Sequence, residues 1–235
     1  MRTSAAAPAA RRGANGTKAV AAALGVCVGV SGLDHGFLEA LQGNTATPGL
    51  IVQAIGPAQR MWINGTEEAF TLVPNFLLTG ILAIAVGLLT IAWSIRFIDR
   101  PNGSLVLLLL GGLLFLVGGG IGMLVFLVFG WAVARLIHRP LTWPSVLPTG
   151  VCSVIARAWP GLVAIGLALY AFALEVAIVG VVPGVSDPDR ALVICWSALL
   201  AMLAAMFVAV VGASVPDVAG ASARHPAGAP VAHTR

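Results

Sequence analysis

The sequence predicts an all-α protein, a polytopic transmembrane bundle of about six helices, on three observations. Of the 235 residues 59% are hydrophobic and 9% charged, where a soluble domain carries roughly 25% charged residues. A water-soluble fold burying so much apolar surface would lack the polar residues to cover itself. Apolar runs of about 20 residues recur along the chain, each the length of a helix across a hydrocarbon core. The basic residues fall at the ends of those runs, a pattern of membrane topology and not of nucleic-acid binding. Period-two alternation is missing, which disfavours a transmembrane barrel.

Residues 1–17, rich in Ala, Arg, Gly and Pro, read as a disordered tail. The basic start followed by an apolar run has the form of a signal peptide. The continuation into "LDHGFLEAL" and the later apolar stretches argue instead for a retained first helix, Lys18 to Leu41. Residues 42–66 form a polar connection in which "LIVQAI" reads as an interfacial turn and Trp62 suits the headgroup region. A second helix is predicted from Glu67 to Ile98, capped by Thr66, with Glu67 and Glu68 in its first turn and a bend at Pro74.

The tract Ser104–Ile137 would be about 51 Å long as one helix at 1.5 Å per residue, against a hydrocarbon core of about 30 Å. Its middle carries Gly118, Gly119, Gly120 and Gly122, so a glycine-hinged pair, 104–117 and 121–137, is expected. A fifth helix is read over Ala158–Val182, opened by "WPG" and closed by "VVPG", and a sixth over Arg190–Val215, closed by "VPD". Residues 216–235 form a second disordered tail. The domain plan is thus 1–17 tail, 18–215 transmembrane helices and 216–235 tail.

With both termini in the cytoplasm, Arg2, Arg11, Arg12, Lys18, Arg96, Arg100, Arg135, Arg139, Arg157, Arg224 and Arg235 fall inside, and only Arg60 and Arg190 outside. A single crossing at 104–137 would move Arg135, Arg139 and Arg157 outside, so the charge bias favours the hinged pair in a plasma-membrane protein.

Gly25, Gly29, Gly32 and Gly36 lie within about 40° of one line on the first helix. Ala198, Ala201, Ala205, Ala209 and Gly212 make a similar stripe on the sixth. Rows of small residues let helix backbones approach closely, within one chain or across a seam in a homo-oligomer or with a membrane partner. The lipid bilayer is the one partner the composition requires. Cys27, Cys152 and Cys195 show no metal spacing and read as packing residues.

Most acids gather toward the outer face. Asp34, His35 and Glu39 end the first helix, with His35 and Glu39 one turn apart. The competing reading is an interfacial amphipathic extension. Glu175 lies in "YAFALEVAIVG", apolar on both sides, where a bare carboxylate calls for a proton, His35 or a cation. Asn75 is a polar helper on the second helix, with Thr79 one turn on.

No Walker A, GxSxG or HExxH motif occurs, and no cofactor is called for. "SGLDHGFLEALQGN" with "TLVPNFLLTGILAIAVGLLTIAWSIRFI" resembles a family of small bacterial multi-pass membrane proteins without an assigned activity, over roughly residues 30–125. The resemblance implies a membrane location and no mechanism. The reading expected is a cation- or proton-linked transporter or channel-like protein with an outward-facing acidic site at Glu175, Asp34, His35, Glu39 and Asn75. The alternatives are a non-catalytic structural or accessory subunit and an enzyme using a metal at His35 and Glu39.

Overall fold

A computed structural model describes residues 16–138 and 148–224, and among these described residues the chain forms six helices and one short hairpin. The helices are α1 (Gly16–Ala40), α2 (Phe76–Arg96), α3 (Gly103–Leu116), α4 (Met123–Leu136), α5 (Thr149–Val179) and α6 (Pro188–Arg224). Between α1 and α2 lie strands β1 (Ile51–Gln53) and β2 (Glu68–Phe70), paired antiparallel with Val52 opposite Ala69. Four helices, α1, α2, α5 and α6, are long and apolar enough to cross a membrane. At 14 residues each, α3 and α4 are about 21 Å long.

Helix α1 is the central element and touches each of the other five. Its glycines make that possible. A Cβ on Gly36 would stand 2.6 Å from the carbonyl oxygen of Gly80, and one on Gly80 would stand 2.5 Å from that of Gly36. Gly29 and Gly87 block each other in the same way, at 2.7 Å in both directions. The two pairs set α1 and α2 antiparallel at backbone contact, where dispersion replaces the hydrophobic drive that lipid cannot supply. Gly25 and Gly32 admit Leu107 and Leu114 of α3, so α3 runs parallel to α1. The glycine stripe is spent inside the chain.

Helices α5 and α6 pack as an antiparallel pair, with Gly166 against Met206 and Gly212 against Ile155 and Trp159. The predicted alanine stripe on α6 is only partly the packed face. Ala198, Ala209 and Gly212 are buried, Ala205 is half-buried and Ala201 is exposed. Fully buried Met202 and Met206 complete the seam, because flexible thioethers fill gaps that alanine leaves. Tyr170 ties this pair to the centre, donating to the Cys27 carbonyl at 2.8 Å and meeting Phe126 edge-on.

The helices alternate in direction. One end of the bundle carries Lys18, hydrogen-bonded to Asp99 at 2.9 Å, with Arg100 and Arg135 nearby; this is the basic end. The other carries the β-hairpin and the α3–α4 hinge.

Several boundaries differ from expectation. Residues 67–75 are not helical: β2 occupies Glu68–Phe70, and α2 begins only after Pro74, whose ring disfavours helix in the residue before it. "LIVQAI" supplies β1 instead of an interfacial turn. Helix α5 begins at Thr149, carries Pro160 inside it, and ends at Gly180 in the left-handed region with φ 72°. Helix α6 continues through Pro216 to Arg224. The predicted tails fall mostly on residues 1–15 and 225–235, outside the described residues.

Candidate functional site

The last turns of α1 carry Ser31, Asp34, His35, Gly36 and Glu39 beneath the hairpin and the hinge. The hinge is the part of the α3–α4 tract that most directly shapes the site. Gly118 and Gly120 take φ values of 100° and 89°, which side chains other than glycine rarely accept. The loop is pinned as an extra edge on β2: Gly118 N–H donates to Phe70 O at 3.1 Å and Ile121 N–H to Glu68 O at 3.0 Å. Both glycines also lie directly against the acid and the imidazole. A Cβ on Gly118 would run into the Glu39 carboxylate, and one on Gly120 would stand 2.5 Å from His35 Nε2. The predicted hinge thus also forms the wall of the site.

His35 is 5% exposed. Its Nδ1 lies 2.9 Å from the Ser31 carbonyl. A carbonyl can only accept, so Nδ1 carries the proton and Nε2 is left as the reactive nitrogen. Nε2 has no hydrogen-bond partner and stands 3.7 Å from Glu67 Oε2. The Ser31 hydroxyl donates to Gly119 O at 3.2 Å, joining α1 to the hinge.

Glu39 is fully buried, and neither carboxylate oxygen has a hydrogen-bond partner. The Thr79 hydroxyl lies close enough to bear on the Glu39 carboxyl, but its proton goes to Val117 O at 2.7 Å, with Thr71 Oγ1 also 2.7 Å away. An ionised carboxylate enclosed without donors costs several kcal/mol. Charge on Glu39 therefore has to be matched by a proton, a cation or His35.

Glu67 is the residue the sequence reading missed. The sequence places it in the first turn of a helix, but it precedes β2 and is the one non-glycine residue with positive φ, 41°, among the described residues. Such strained backbone persists where surrounding structure enforces it. Here Glu67 O accepts from Ala54 N–H at 2.8 Å, and the side chain, 35% exposed, turns toward His35. A run reading "EEAFTLVP", β-prone and ended by proline, was the available signal that this segment is strand. Tyr170 and Ser31 were not singled out either, because neither belongs to a charged motif.

The other expected site residues divide. Asp34 is half-buried and close enough for its charge to bear on His35, Glu67 and Tyr170, so it belongs to the cluster. Glu175 does not. It is exposed on α5 and only four residues from the helix end at Val179, about 6 Å along the axis. Trp62 Nε1 donates to Ala177 O at this level. Asn75 is the N-cap of α2, accepting from Leu78 N–H at 3.1 Å and donating to Asn44. Its polar groups are used there. Among the described residues no group of three or more His, Cys, Asp or Glu is placed to hold a metal ion.

Comparison of the chain with protein-family profiles, with curated protein sequences and with solved structures yields no match. The functional reading therefore rests on the chemistry of the site.

Proposed function

We propose that this is a proton-linked multi-pass membrane protein, a transporter or channel-like protein whose proton-exchanging group is Glu39, served by His35 and Glu67. One observation carries the reading: an acid of zero exposure whose two oxygens have no partner, one helical turn from an imidazole nitrogen that also has none. The order of exposure supports a route, from partly exposed Glu67 through His35 to enclosed Glu39. Ionisable groups in such positions usually mark ion or proton paths. Glycine-broken helices lining a site are a known way of combining backbone and charge at one depth.

The described basic residues favour the cytoplasm for the end bearing Lys18, Arg96, Arg100, Arg135 and Arg157, hence for both termini, and the exterior of a plasma membrane for the hairpin. The family resemblance over roughly residues 30–125, which spans His35, Glu39, Glu67 and the hinge, fits a bacterial setting. In proteoliposomes with an entrapped pH-sensitive dye, the wild type is expected to dissipate an imposed pH gradient and Glu39→Gln to lose that activity. Equal dissipation by both proteins would remove the proposal.

A second reading, an accessory subunit, is favoured by Glu175, a carboxylate exposed on an otherwise apolar helix face. It expects a stoichiometric membrane partner to co-purify in mild detergent and to be lost in Glu175→Leu.

A further inference from the structure

The basic end of the bundle holds a second feature, independent of the proton site. A cavity of about 430 Å³ opens between the α2–α3 turn and the last turns of α4. It is lined by Arg100, Pro101, Ser104, Ala134, Arg135 and His138. Each polar side chain in that lining can donate a hydrogen bond, and none is a carboxylate. Among the described residues neither arginine is in an ion pair. Asp99, adjacent to Arg100, is held by Lys18 at 2.9 Å.

Aromatic faces set both guanidinium groups. Arg100 lies over Phe97 at 6.0 Å and Arg135 over Trp131 at 5.2 Å. A cation–π contact of this kind holds the guanidinium carbon near the ring and does not use up its N–H donors in hydrogen bonds. Ser104 adds a hydroxyl from the first turn of α3, whose N-cap Asn102 makes no side-chain cap bond. The cavity sits where the apolar run of α3 begins and that of α4 ends, the level of a lipid headgroup. Two arginine forks are suited to the several oxygens of a tetrahedral anion.

We propose that this cavity binds a phosphate-bearing anion, either an acidic phospholipid headgroup or a free phosphate. Basic pockets between membrane helices on the cytoplasmic side suit such groups. The test uses the full chain purified in detergent, with thermal unfolding followed during titration with phosphatidylglycerol, phosphatidylcholine or inorganic phosphate. The proteins compared are wild type, Arg100→Gln, Arg135→Gln, the double variant, and Arg190→Gln at the opposite end as control.

Phosphatidylglycerol is expected to stabilise the wild type and the control, and phosphatidylcholine neither. Each single substitution should weaken the response about fivefold and the pair about 25-fold, taking roughly 1 kcal/mol per arginine near a headgroup. Both arginines are exposed, so the single variants should fold even if the pair does not. A wild-type response to inorganic phosphate that the same substitutions weaken would support the free anion as the source. No response to either anion, or an undiminished response in the single variants, would overturn the proposal.

Discussion

Gly118→Ala is the substitution on which the geometry of the site bears most heavily. Gly118 takes φ 100°, and holding an L-residue in such a region costs about 1–3 kcal/mol. The new methyl group would also press on Glu39, with the carboxyl carbon only 2.8 Å away. Glu39 is fully buried and has little room to retreat; overpacking of this kind costs about 1–3 kcal/mol. Together the two effects suggest a loss on the order of 3 kcal/mol. For a chain of this size that corresponds to a fall in unfolding temperature of about 10 °C, at roughly 2–4 °C per kcal/mol.

Gly112→Ala is the matched control. Gly112 lies in helix α3, and a Cβ there meets nothing within 4 Å. Removing glycine from a helix interior stabilises by about 0.5–1 kcal/mol. Thermal unfolding in one detergent should therefore place the two variants on opposite sides of the wild type. If Gly118→Ala unfolds with the wild type, the left-handed seat against Glu39 is not there, and the wall of the site as described fails.

Other perturbations read other parts of the structure. Gly36→Leu should separate α1 from α2, because the added side chain would meet the Gly80 carbonyl and the Ile84 amide at 2.6 and 2.9 Å; a cysteine pair across the two helices should then cross-link less, and unchanged cross-linking would contradict the glycine contact. Asp99→Asn should cost at most about 1 kcal/mol, since the Lys18–Asp99 pair is partly exposed. The Lys18 hydrogen bond lowers the Asp99 pKa, so the pair stabilises above the ordinary carboxylate range and its contribution is lost as pH falls through the lowered value. The gap between wild type and Asp99→Asn should close in acid and shrink in salt; a gap independent of pH would count against the pair.

The bundle was legible because membrane thickness is a hard constraint. A predominantly apolar tract of 34 residues cannot cross about 30 Å of hydrocarbon once without a large excess, and four glycines mark where it breaks. The α1 stripe was legible because small residues repeat at helical spacing, although only the structure supplies its partners, Gly80, Gly87, Leu107 and Leu114. The hairpin was not legible, since Thr66 followed by two acids imitates a helix start while Pro74 lies too far along to forbid one.

That mistake displaced Glu67 from the site. Glu175 lies apart from the cluster for a different reason. The helix that carries it ends at Val179, three residues before the expected end at Val182, and its facing depends on packing between α5 and α6 that periodicity does not settle. His35 and Glu39 stand out in the sequence because charge is scarce in this chain, whereas their lack of hydrogen-bond partners depends on Gly118, Gly120 and Thr79, far away in sequence.

The most direct measurement of the proton site is the transient current from protein adsorbed on a solid-supported membrane after a pH jump, recorded for wild type, Glu39→Gln, Glu67→Gln and Glu175→Gln. Expected are equal currents from wild type and Glu175→Gln, a reduced one from Glu67→Gln, and none from Glu39→Gln. A full current from Glu39→Gln, or its loss in Glu175→Gln alone, would contradict the assignment.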